Sequence, residues 1–466
     1  MPDTVSLEEE YDVIIIGAGL SGLSAGIRLS QFFDKVVILE SHSIPGGLNS
    51  YYTKGKKREL YSSGLHTLTN ANVTHRKWGL SLISRSLGIA VEEFGISQPV
   101  RNSRITVPEL SVEFSNDAEL LRGELGAKLG VSADSILAFE KKVIELCGDP
   151  FSSNSSSNEF LEQCYDNPIA RDLLKLPVFT YAGYAEGDLD LRTFCLLYRS
   201  IFIDGCGSPV DMKQFLEVLV SKYKENGGEL HFRKQVSEIL ASEGKVRGVK
   251  LSDGREVRAK YVLSSCGAFE TSGLVGHVVK FGSPGVISLF QLVASFDDSV
   301  AENGMKESLH FVSTASPLKW NFSKEEDLLK VVTFAAQDSY EFPSTKHQLK
   351  ISCFDQYDFW DGLDRERYKE KKEARKEQLL EFTKSFYPGL NQQKILQFDS
   401  FSPLTIKRYT AHANGTLYGG SEKFFDGRTP VENLFLIGND QGGIGIMGAL
   451  TSGILVSNYN IILPQG

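Results

Sequence analysis

Three glycines and one acidic residue near the N-terminus have the types and the spacing that dinucleotide binding requires. Gly17, Gly19 and Gly22 form a Gly-x-Gly-x-x-Gly turn, and Glu40 follows about 18 residues after the last of them. The first glycine permits a tight turn, the second lets the backbone approach a pyrophosphate, and the third allows a helix to pack closely on a strand. Glu40 is placed to accept hydrogen bonds from an adenosine ribose. Its negative charge argues against a 2′-phosphate, so NADP is not expected at this site.

The elements around this turn are those that would hold it in place. Residues 11–16 are mostly apolar and β-favouring, as expected for a strand buried on both faces. Apolar residues then recur at helical spacing as far as Ser30, and residues 35–39 are predicted as a second strand that leads to Glu40. The helix N-terminus, with Ser21 in its first turn, offers unpaired N–H groups and a positive dipole end to phosphates. This order of elements predicts a βαβ dinucleotide-binding unit, with Ser21 among its cofactor-binding residues.

A second glycine turn follows the ribose acid. Gly46 and Gly47 come after Pro45 and precede Leu48. Taken alone the segment is an ordinary turn, but after a βαβ unit it resembles the large FAD family that includes amine oxidases and phytoene desaturases. There a Gly-Gly pair lets the loop pass close to the flavin phosphates, so the resemblance implies that Gly46, Gly47 and Leu48 bind FAD. The sequence departs from the common Gly-Gly-Arg form because Leu48 stands in place of the arginine, whose phosphate contact is therefore absent.

A glycine-rich segment near the C-terminus has the properties of a second flavin-binding element. Residues 433–437 are predicted as a buried strand, residues 438–448 contain five glycines, and apolar residues continue as a helix to Val456. This segment resembles the final flavin element of phytoene desaturases and retinol saturases. The resemblance implies that Asp440 binds the ribityl or phosphate part of FAD and that the backbone at Ile446 and Met447 lies against the pyrimidine edge of the flavin ring. A helix N-terminus there would stabilise the negative charge of reduced flavin, and glycines let the chain approach a flat ring.

A third part of the cofactor site is predicted in the middle of the chain. Residues 229–232 and 234–239 are expected as strands, residues 244–254 as a hairpin with an Asp-Gly turn, and residues 261–264 as a further strand. The order resembles the second contribution of the same family to its FAD domain. The resemblance implies that the backbone at Val236 holds the adenine.

Two segments are expected to face the substrate side of the flavin. His66 follows a turn around Gly64 and could donate or accept a proton, which makes it the candidate catalytic residue. The alternative is a histidine that only orders the loop. Related saturases and isomerases commonly carry an acid ahead of this turn, where Ser62 and Ser63 stand here. Residues 402–420, which include Tyr418, resemble the strand-turn segment that precedes the flavin element in this family.

These segments predict an α/β fold in which two domains are interleaved. The resemblance implies a Rossmann-like FAD-binding domain of the glutathione-reductase type, formed by residues 1–75, 205–285 and 400–466. Residues 76–204 and 286–399 are left for an α+β substrate domain with a mixed sheet. A chain of 466 residues, of which 41% are hydrophobic, is too long for one ordinary domain.

Composition excludes several other classes of protein. The formal net charge of −9 and the pI near 5.6 argue against nucleic-acid binding. Residues 1–10 are acidic and lack an apolar core, so no secretory signal is expected, and no run approaches about 18 apolar residues. The six scattered cysteines have no zinc spacing, so no metal is expected and the thiols are predicted to be free in a reducing compartment. A cytoplasmic protein is expected, with peripheral membrane contact left open.

The resemblance implies an FAD-dependent oxidoreductase that acts on carbon–carbon bonds of a long apolar polyene, such as a carotenoid or retinoid, as a saturase, desaturase or isomerase. The alternatives are an FAD-dependent amine oxidase and a non-catalytic FAD-binding protein. An amine oxidase would need an aromatic cage and often a lysine near the flavin, neither of which the sequence identifies. No second dinucleotide turn is evident, so the electron donor or acceptor is left as quinone, oxygen, a protein or visiting NAD(P)H.

Overall fold

Two large β-sheets form the framework of the protein. The computed structural model describes residues 6–55, 58–64, 67–71, 79–97, 101–147, 155–183, 187–209, 211–276, 279–338, 347–390, 392–420 and 422–465. The strands are β1 (Glu10–Ile16), β2 (Val36–Leu39), β3 (Tyr51–Lys54), β4 (Glu59–Ser62), β5 (Leu68–Thr69), β6 (Ile96–Ser97), β7 (Ser103–Val107), β8 (Leu110–Phe114), β9 (Cys206–Pro209), β10 (Glu229–His231), β11 (Val236–Ser242), β12 (Lys245–Leu251), β13 (Glu256–Ser264), β14 (Ile287–Phe296), β15 (Leu309–Ser313), β16 (Val331–Gln337), β17 (His347–Gln356), β18 (Gln397–Phe401) and β19 (Leu434–Leu436). The helices are α1 (Leu20–Leu29), α2 (Gly79–Leu87), α3 (Ala118–Leu129), α4 (Ala133–Cys147), α5 (Ser157–Cys164), α6 (Pro168–Ala182), α7 (Leu191–Tyr198), α8 (Met212–Glu225), α9 (Ala268–Val275), α10 (Arg365–Phe386), α11 (Pro403–Thr410) and α12 (Gly445–Val456).

The first sheet carries the predicted cofactor segments. Within the described residues it has seven strands, five of them parallel in the order β10-β2-β1-β13-β19. β12 pairs antiparallel with the first half of β13, where Gly248 lies opposite Arg258, and β11 continues this meander. β19 pairs with the second half of β13, where Val262 lies opposite Leu434. The middle and the end of the chain therefore meet on one strand beside β1, and the predicted Rossmann-like fold is confirmed.

β1 is continuously apolar because both of its faces are covered. Val13 and Ile15 enter the hydrophobic cluster that contains α1, α8 and α12. Ile14 and Ile16 enter a second cluster, which lies under the β11–β13 meander. This is the pattern expected of a parallel strand in an α/β sheet. The strands predicted at residues 11–16, 35–39 and 433–437 are confirmed to within two residues at each end.

The second sheet is mixed, as predicted. Its strand order in the described residues is β18-β14-β17-β16-β15-β7-β8, with β7 and β15 parallel and the other pairs antiparallel. One face packs under α10, where Ile351 and Leu379 belong to the same cluster. The opposite face packs against α6 and α7, where Phe354, Leu173 and Phe194 share a cluster. The two faces of this sheet thus have different partners, and we call the face toward α6 and α7 the inner face.

Two predictions differ from the structure. Residues 402–420 were expected as a strand and turn, but α11 occupies Pro403–Thr410. Ser402 caps this helix and Pro403 is its first residue, which is a standard helix start. α2 falls in the range predicted for the substrate domain, yet it packs on α1 and α12, because Leu80 and Ile83 enter the cluster of the first sheet.

One apolar stretch of the described chain is long enough to cross a membrane. It covers α12 and the following turn, Gly445–Ile462, with a mean hydropathy of 1.2. Half of it is buried in the structure. By length and composition alone this is weak evidence for a span, because buried core helices have the same composition.

Candidate cofactor and active site

The three glycines of the turn after β1 have different surroundings. Gly17 has a φ of +97°, and a Cβ there would lie 2.3 Å from Ser265 Oγ. A Cβ on Gly22 would lie 2.0 Å from the Gly17 carbonyl oxygen, so helix and turn touch at this point. Gly19 differs, since no described heavy atom lies within 4 Å of the position of its Cβ. The turn is therefore closed by the protein at Gly17 and Gly22 and open at Gly19.

The N-terminus of α1 has unpaired N–H groups. Its N-cap is Gly19, which makes no side-chain capping bond, and its first turn, all of it described, contains no acid. Ser21 in that turn is buried, and its Oγ lies 3.1 Å from where a Cβ on Gly438 would be. The N-terminal turn and the C-terminal glycine segment are thus neighbours. An uncapped helix end beside an open glycine suits a pyrophosphate.

The Glu40 carboxylate fastens the glycine turn to the end of β2. Its Oε2 accepts a hydrogen bond of 2.7 Å from the Ala18 N–H, and its Oε1 accepts one of 2.8 Å from the His42 N–H. The residue is 6% exposed. Oε1 also accepts a 3.3 Å bond from the Ser41 hydroxyl, whereas Oε2 can accept a further bond, so the ribose contact predicted for Glu40 is compatible with this geometry and stays a prediction.

The segment before β11 lies beside Glu40. The Lys234 N–H donates to the Glu40 carbonyl at 2.8 Å, and the Arg233 N–H donates to the His42 carbonyl at 3.0 Å. Val236, the first residue of β11, is buried two residues further along. Glu40 and Val236, predicted to hold ribose and adenine, are therefore brought to one end of the sheet.

The second glycine turn lies against the first. The Gly46 N–H donates to the Ala18 carbonyl at 2.8 Å, and a Cβ on Gly47 would lie 3.6 Å from the Gly19 Cα. Gly46 has a φ of +110°, which favours glycine. Leu48 follows in a short 3₁₀ turn, and its carbonyl accepts a 3.0 Å bond from Ser63 Oγ. The two turns together border the open position at Gly19.

Asp440 joins three segments of the chain. Its Oδ2 accepts a 2.6 Å bond from the Ala268 N–H and its Oδ1 accepts a 2.8 Å bond from the Gly420 N–H. The side chain is 2% exposed, and Lys423 Nζ lies 3.5 Å from Oδ1. Burial lowers the pKa of Lys423, and Asp440 opposes that shift. The sequence had not indicated Lys423, because the contact spans a loop.

A pocket opens beside Asp440 and Ser265, next to the glycine turn. Hydroxyl groups, two carboxylates and one imidazole line it, together with glycine backbone: Ser265, Gly267, Glu270, Ser283, Gly285, His412, Thr416, Gly419, Gly420, Asn439 and Asp440. A Cβ on Gly419 would lie 1.9 Å from Asp440 Oδ1, so glycine is required there. Hydroxyl and carboxylate groups suit the ribityl chain of a flavin nucleotide. Among the described residues, no group of three or more His, Cys, Asp or Glu is arranged to hold a metal.

The last helix packs tightly on the first. A Cβ on Gly453 would lie 2.2 Å from Ser24 Oγ and 2.3 Å from the Ser21 carbonyl oxygen. Ile446 and Met447 are 3% and 1% exposed, and their side chains lie in the cluster shared with α1. This burial is compatible with the prediction that these two residues meet the cofactor through their backbone. Their contact with the flavin ring stays a prediction.

His66 lies outside the described residues, but the segments on either side of it are anchored. Lys350 Nζ donates hydrogen bonds to the Gly64 carbonyl and, at 2.6 Å, to Ser62 Oγ. On the other side, the Thr67 side chain lies close to the Tyr181 hydroxyl. The Ser62 hydroxyl in turn donates to Gln337 Oε1 at 2.9 Å. The predicted role of His66 in proton transfer stays a prediction.

Lys350 is a buried lysine that the sequence reasoning missed. It lies in the middle of β17, is 0% exposed, and has its pKa lowered well below the ordinary value by burial. The available signal was a charged residue between Leu349 and Ile351 in an otherwise strand-like stretch. A cation at the centre of a buried strand is unfavourable unless it has partners, so such a residue marks a candidate site.

Comparison with known proteins places these features in a family. The family described as flavin containing amine oxidoreductase matches residues 20–459. Chloroplastic prolycopene isomerase of Arabidopsis thaliana is 26% identical, over 97% of this chain and 82% of that protein. Human all-trans-retinol 13,14-reductase is 22% identical, over 97% of this chain and 85% of that protein.

Solved structures share the fold at lower identity. An oxidoreductase from Methanosarcina mazei superposes with a TM-score of 0.64 at 19% identity, covering 96% of this chain and all of that one. Wild-type putrescine oxidase bound to putrescine superposes with a TM-score of 0.59 at 14% identity, covering 96% and 98% of the two chains. At these identities the likeness shows the fold alone.

Proposed function

Because the chain belongs to the flavin containing amine oxidoreductase family and takes FAD as its cofactor, we propose that it is an oxidoreductase of carbon–carbon bonds in a long apolar polyene. The observation that carries the proposal is the match, over nearly the whole chain, to relatives named for prolycopene isomerisation and retinol reduction. Saturation, desaturation and isomerisation are all within this proposal. The electron partner is quinone, oxygen, NAD(P)H or a protein.

The proposed cofactor site runs from Glu40 and Val236, through the open glycine turn, to Asp440 and the start of α12. The uncapped N-terminus of α1 and the open space at Gly19 are the features that fit a pyrophosphate. Bound FAD supplies hydride or electron exchange with the substrate. The protein supplies binding, orientation and a dry environment.

The proposed domain division follows from this path. Residues 1–75, 205–285 and 400–466 form the FAD domain, and residues 76–204 and 286–399 form the substrate domain, except that α2 packs with the former. The inner face of the second sheet meets α6 and α7 in a cluster against which Tyr181, Tyr418 and Ile444 pack. We propose that an apolar substrate binds beside this cluster, because sites for such ligands are lined mainly by apolar and aromatic side chains. We also propose a cytoplasmic location, with peripheral contact to membranes that hold apolar substrates.

A specific observation keeps an amine oxidase as the second candidate. That activity predicts a lysine near the flavin, and Lys350 is buried beside the turn that leads to His66. Tyr181 and Tyr418 lie close to one another on the same side. These side chains would suit an amine substrate held between aromatic rings.

Expression in carotenoid-producing cells, followed by analysis of pigments and their double bonds, tests the proposal. The purified protein should release FAD, and not FMN or NAD, on denaturation. A Gly22→Ala control, which cannot form the glycine turn, should leave the pigments unchanged. Unaltered pigments and retinoids with the FAD-loaded protein, together with oxidation of an amine, would shift the assignment to the second candidate.

A further inference from the structure

A stripe of polar side chains runs along the inner face of the second sheet. Side chains alternate along a strand, so Gln348, Lys350 and Ser352 of β17 point to one face. The residues that alternate with them point to the other face and enter the apolar cluster under α10: Leu349, Ile351 and Cys353. The polar stripe therefore faces the space between the sheet and the proposed flavin-binding segments.

The strands on both sides of β17 continue the stripe. In register with Ser352 are Gln291 on β14 and Thr333 on β16, and in register with Gln348 are Ser295 and Gln337 on the same two strands. Gln291, Thr333 and Ser352 are only 4%, 3% and 6% exposed. Buried polar groups are costly in a sheet interior unless each has a hydrogen-bond partner.

Several atoms of the stripe have no such partner. Both side-chain amide atoms of Gln348 and the Oγ of Ser352 are buried, and no described residue lies within hydrogen-bond distance of them. Lys350 donates to Ser62 and Gly64, which accounts for two of its N–H groups. Each unsatisfied buried group costs about 1–3 kcal/mol. Groups of this kind are normally satisfied by bound water or by a ligand, which makes the row a candidate site for a polar group of the substrate.

The stripe lies next to the segment predicted to face the flavin. Phe311 of β15 is in register with Thr333, and its ring centroid is 6.2 Å from that of Tyr181. Tyr181 lies close to Thr67, the residue after His66, and Lys350 donates a hydrogen bond to the Gly64 carbonyl on the other side of His66. A substrate that extends from the flavin across Tyr181 would place its far part on the polar row.

From this arrangement we propose that the inner face binds an oxygen-bearing end of the substrate, so that the polyene is an alcohol or a carbonyl compound and not a hydrocarbon. The inference rests on the proposed function and names its substrate class. Ser352 and Gln291 would bond the oxygen directly, and Lys350 would hold the turn at Gly64 beside them. Phe311 and Phe354 would pack along the chain of double bonds.

A matched pair of substrates tests the proposal. A polyene alcohol and the hydrocarbon in which hydrogen replaces its hydroxyl group are given to the FAD-loaded full chain, with turnover and perturbation of the flavin spectrum as readouts. The alcohol should be preferred by about tenfold or more in kcat/KM, because a site built to bond a hydroxyl discriminates against an analogue that lacks it. Ser352→Ala and Gln291→Leu should bring this ratio toward one. Ser313→Ala is the control, since its Oγ already bonds the Ala315 carbonyl at 2.9 Å, and it should keep the ratio.

The possible results distinguish a failure of the polar-end assignment from a failure of the proposed function. Equal turnover of alcohol and hydrocarbon by the wild type, or an unchanged ratio in folded Ser352→Ala and Gln291→Leu, overturns the polar-end assignment and leaves the proposed function in place. If the FAD-loaded protein neither binds nor converts either compound, the proposed function is overturned, and this inference with it. Melting temperatures and FAD content, measured on the same preparations, exclude misfolding as the cause of a lost ratio.

Discussion

Gly19 provides the sharpest test of where the cofactor lies, because a methyl group there meets no protein. Its backbone, at φ −67° and ψ 175°, is one that alanine adopts without strain. Gly19→Ala should therefore leave the apoprotein as stable as the wild type, or more stable by about 0.4–1 kcal/mol through the lower entropy of its unfolded chain. A pyrophosphate packed on this Cα would clash with the methyl group, and overpacking of this kind costs about 1–3 kcal/mol. FAD affinity should then fall roughly 5- to 150-fold.

Gly22→Ala is the matched control, with the opposite signature. Its Cβ would lie 2.0 Å from the Gly17 carbonyl oxygen, which is backbone and cannot move aside cheaply. This variant should lower the melting temperature of the apoprotein itself. Apoprotein melting and FAD affinity, the latter from quenching of flavin fluorescence, are measured for both variants. Wild-type FAD affinity in a folded Gly19→Ala protein would show that the pyrophosphate does not approach Gly19.

Three further predictions concern an acid, a proton donor and a buried carboxyl. Glu40→Ala should weaken FAD binding by about 1.5–3 kcal/mol in equilibrium titration, since a charged acceptor is lost; an unchanged affinity contradicts the ribose assignment. His66→Ala should keep bound FAD while turnover falls about 10²–10⁴-fold; full activity per flavin would remove this residue from the mechanism. Burial raises the pKa of Asp355 from 3.8 to about 6, so the folded state holds this proton more tightly and stability should fall as pH rises between those values. Asp355→Asn should remove this fall, roughly 2–3 kcal/mol, from unfolding free energies measured between pH 4 and 7; the same slope in wild type and variant would refute it.

The cofactor half of the fold could be predicted because its signals are local. The glycine turn, the strand before it and the acid after it lie within about 30 residues, and each has a separate physical reason. β1 is apolar throughout because both of its faces are covered. A continuous apolar run is visible in the sequence itself, so this burial could be predicted. The glycine-rich segment after β19 is also a local signal, because its strand, its glycines and its helix follow one another in the sequence.

The parts that the sequence could not predict depend on contacts between distant segments. The family resemblance predicts a strand where α11 lies, whereas Ser402 and Pro403 form an ordinary helix start. Lys350 gains its significance only from Ser62 and Gly64, which are nearly 300 residues away in the chain. No local pattern specifies such a partner.

The tight crossing of α12 on α1 has a consequence for how the protein is made. The two helices are separated by about 400 residues, and at about 5–20 residues per second the first must wait roughly 20–80 s for the second to leave the ribosome. During that interval one side of α1, and the β13 edge that β19 later fills, lack their final cover. Exposed apolar surface and unpaired strand edges favour aggregation, so we expect the nascent chain to be prone to aggregation over this period. Flavin that binds as soon as the C-terminal helix arrives would draw the equilibrium toward the folded chain, so the yield of this protein should rise with the flavin supply of the cell that makes it.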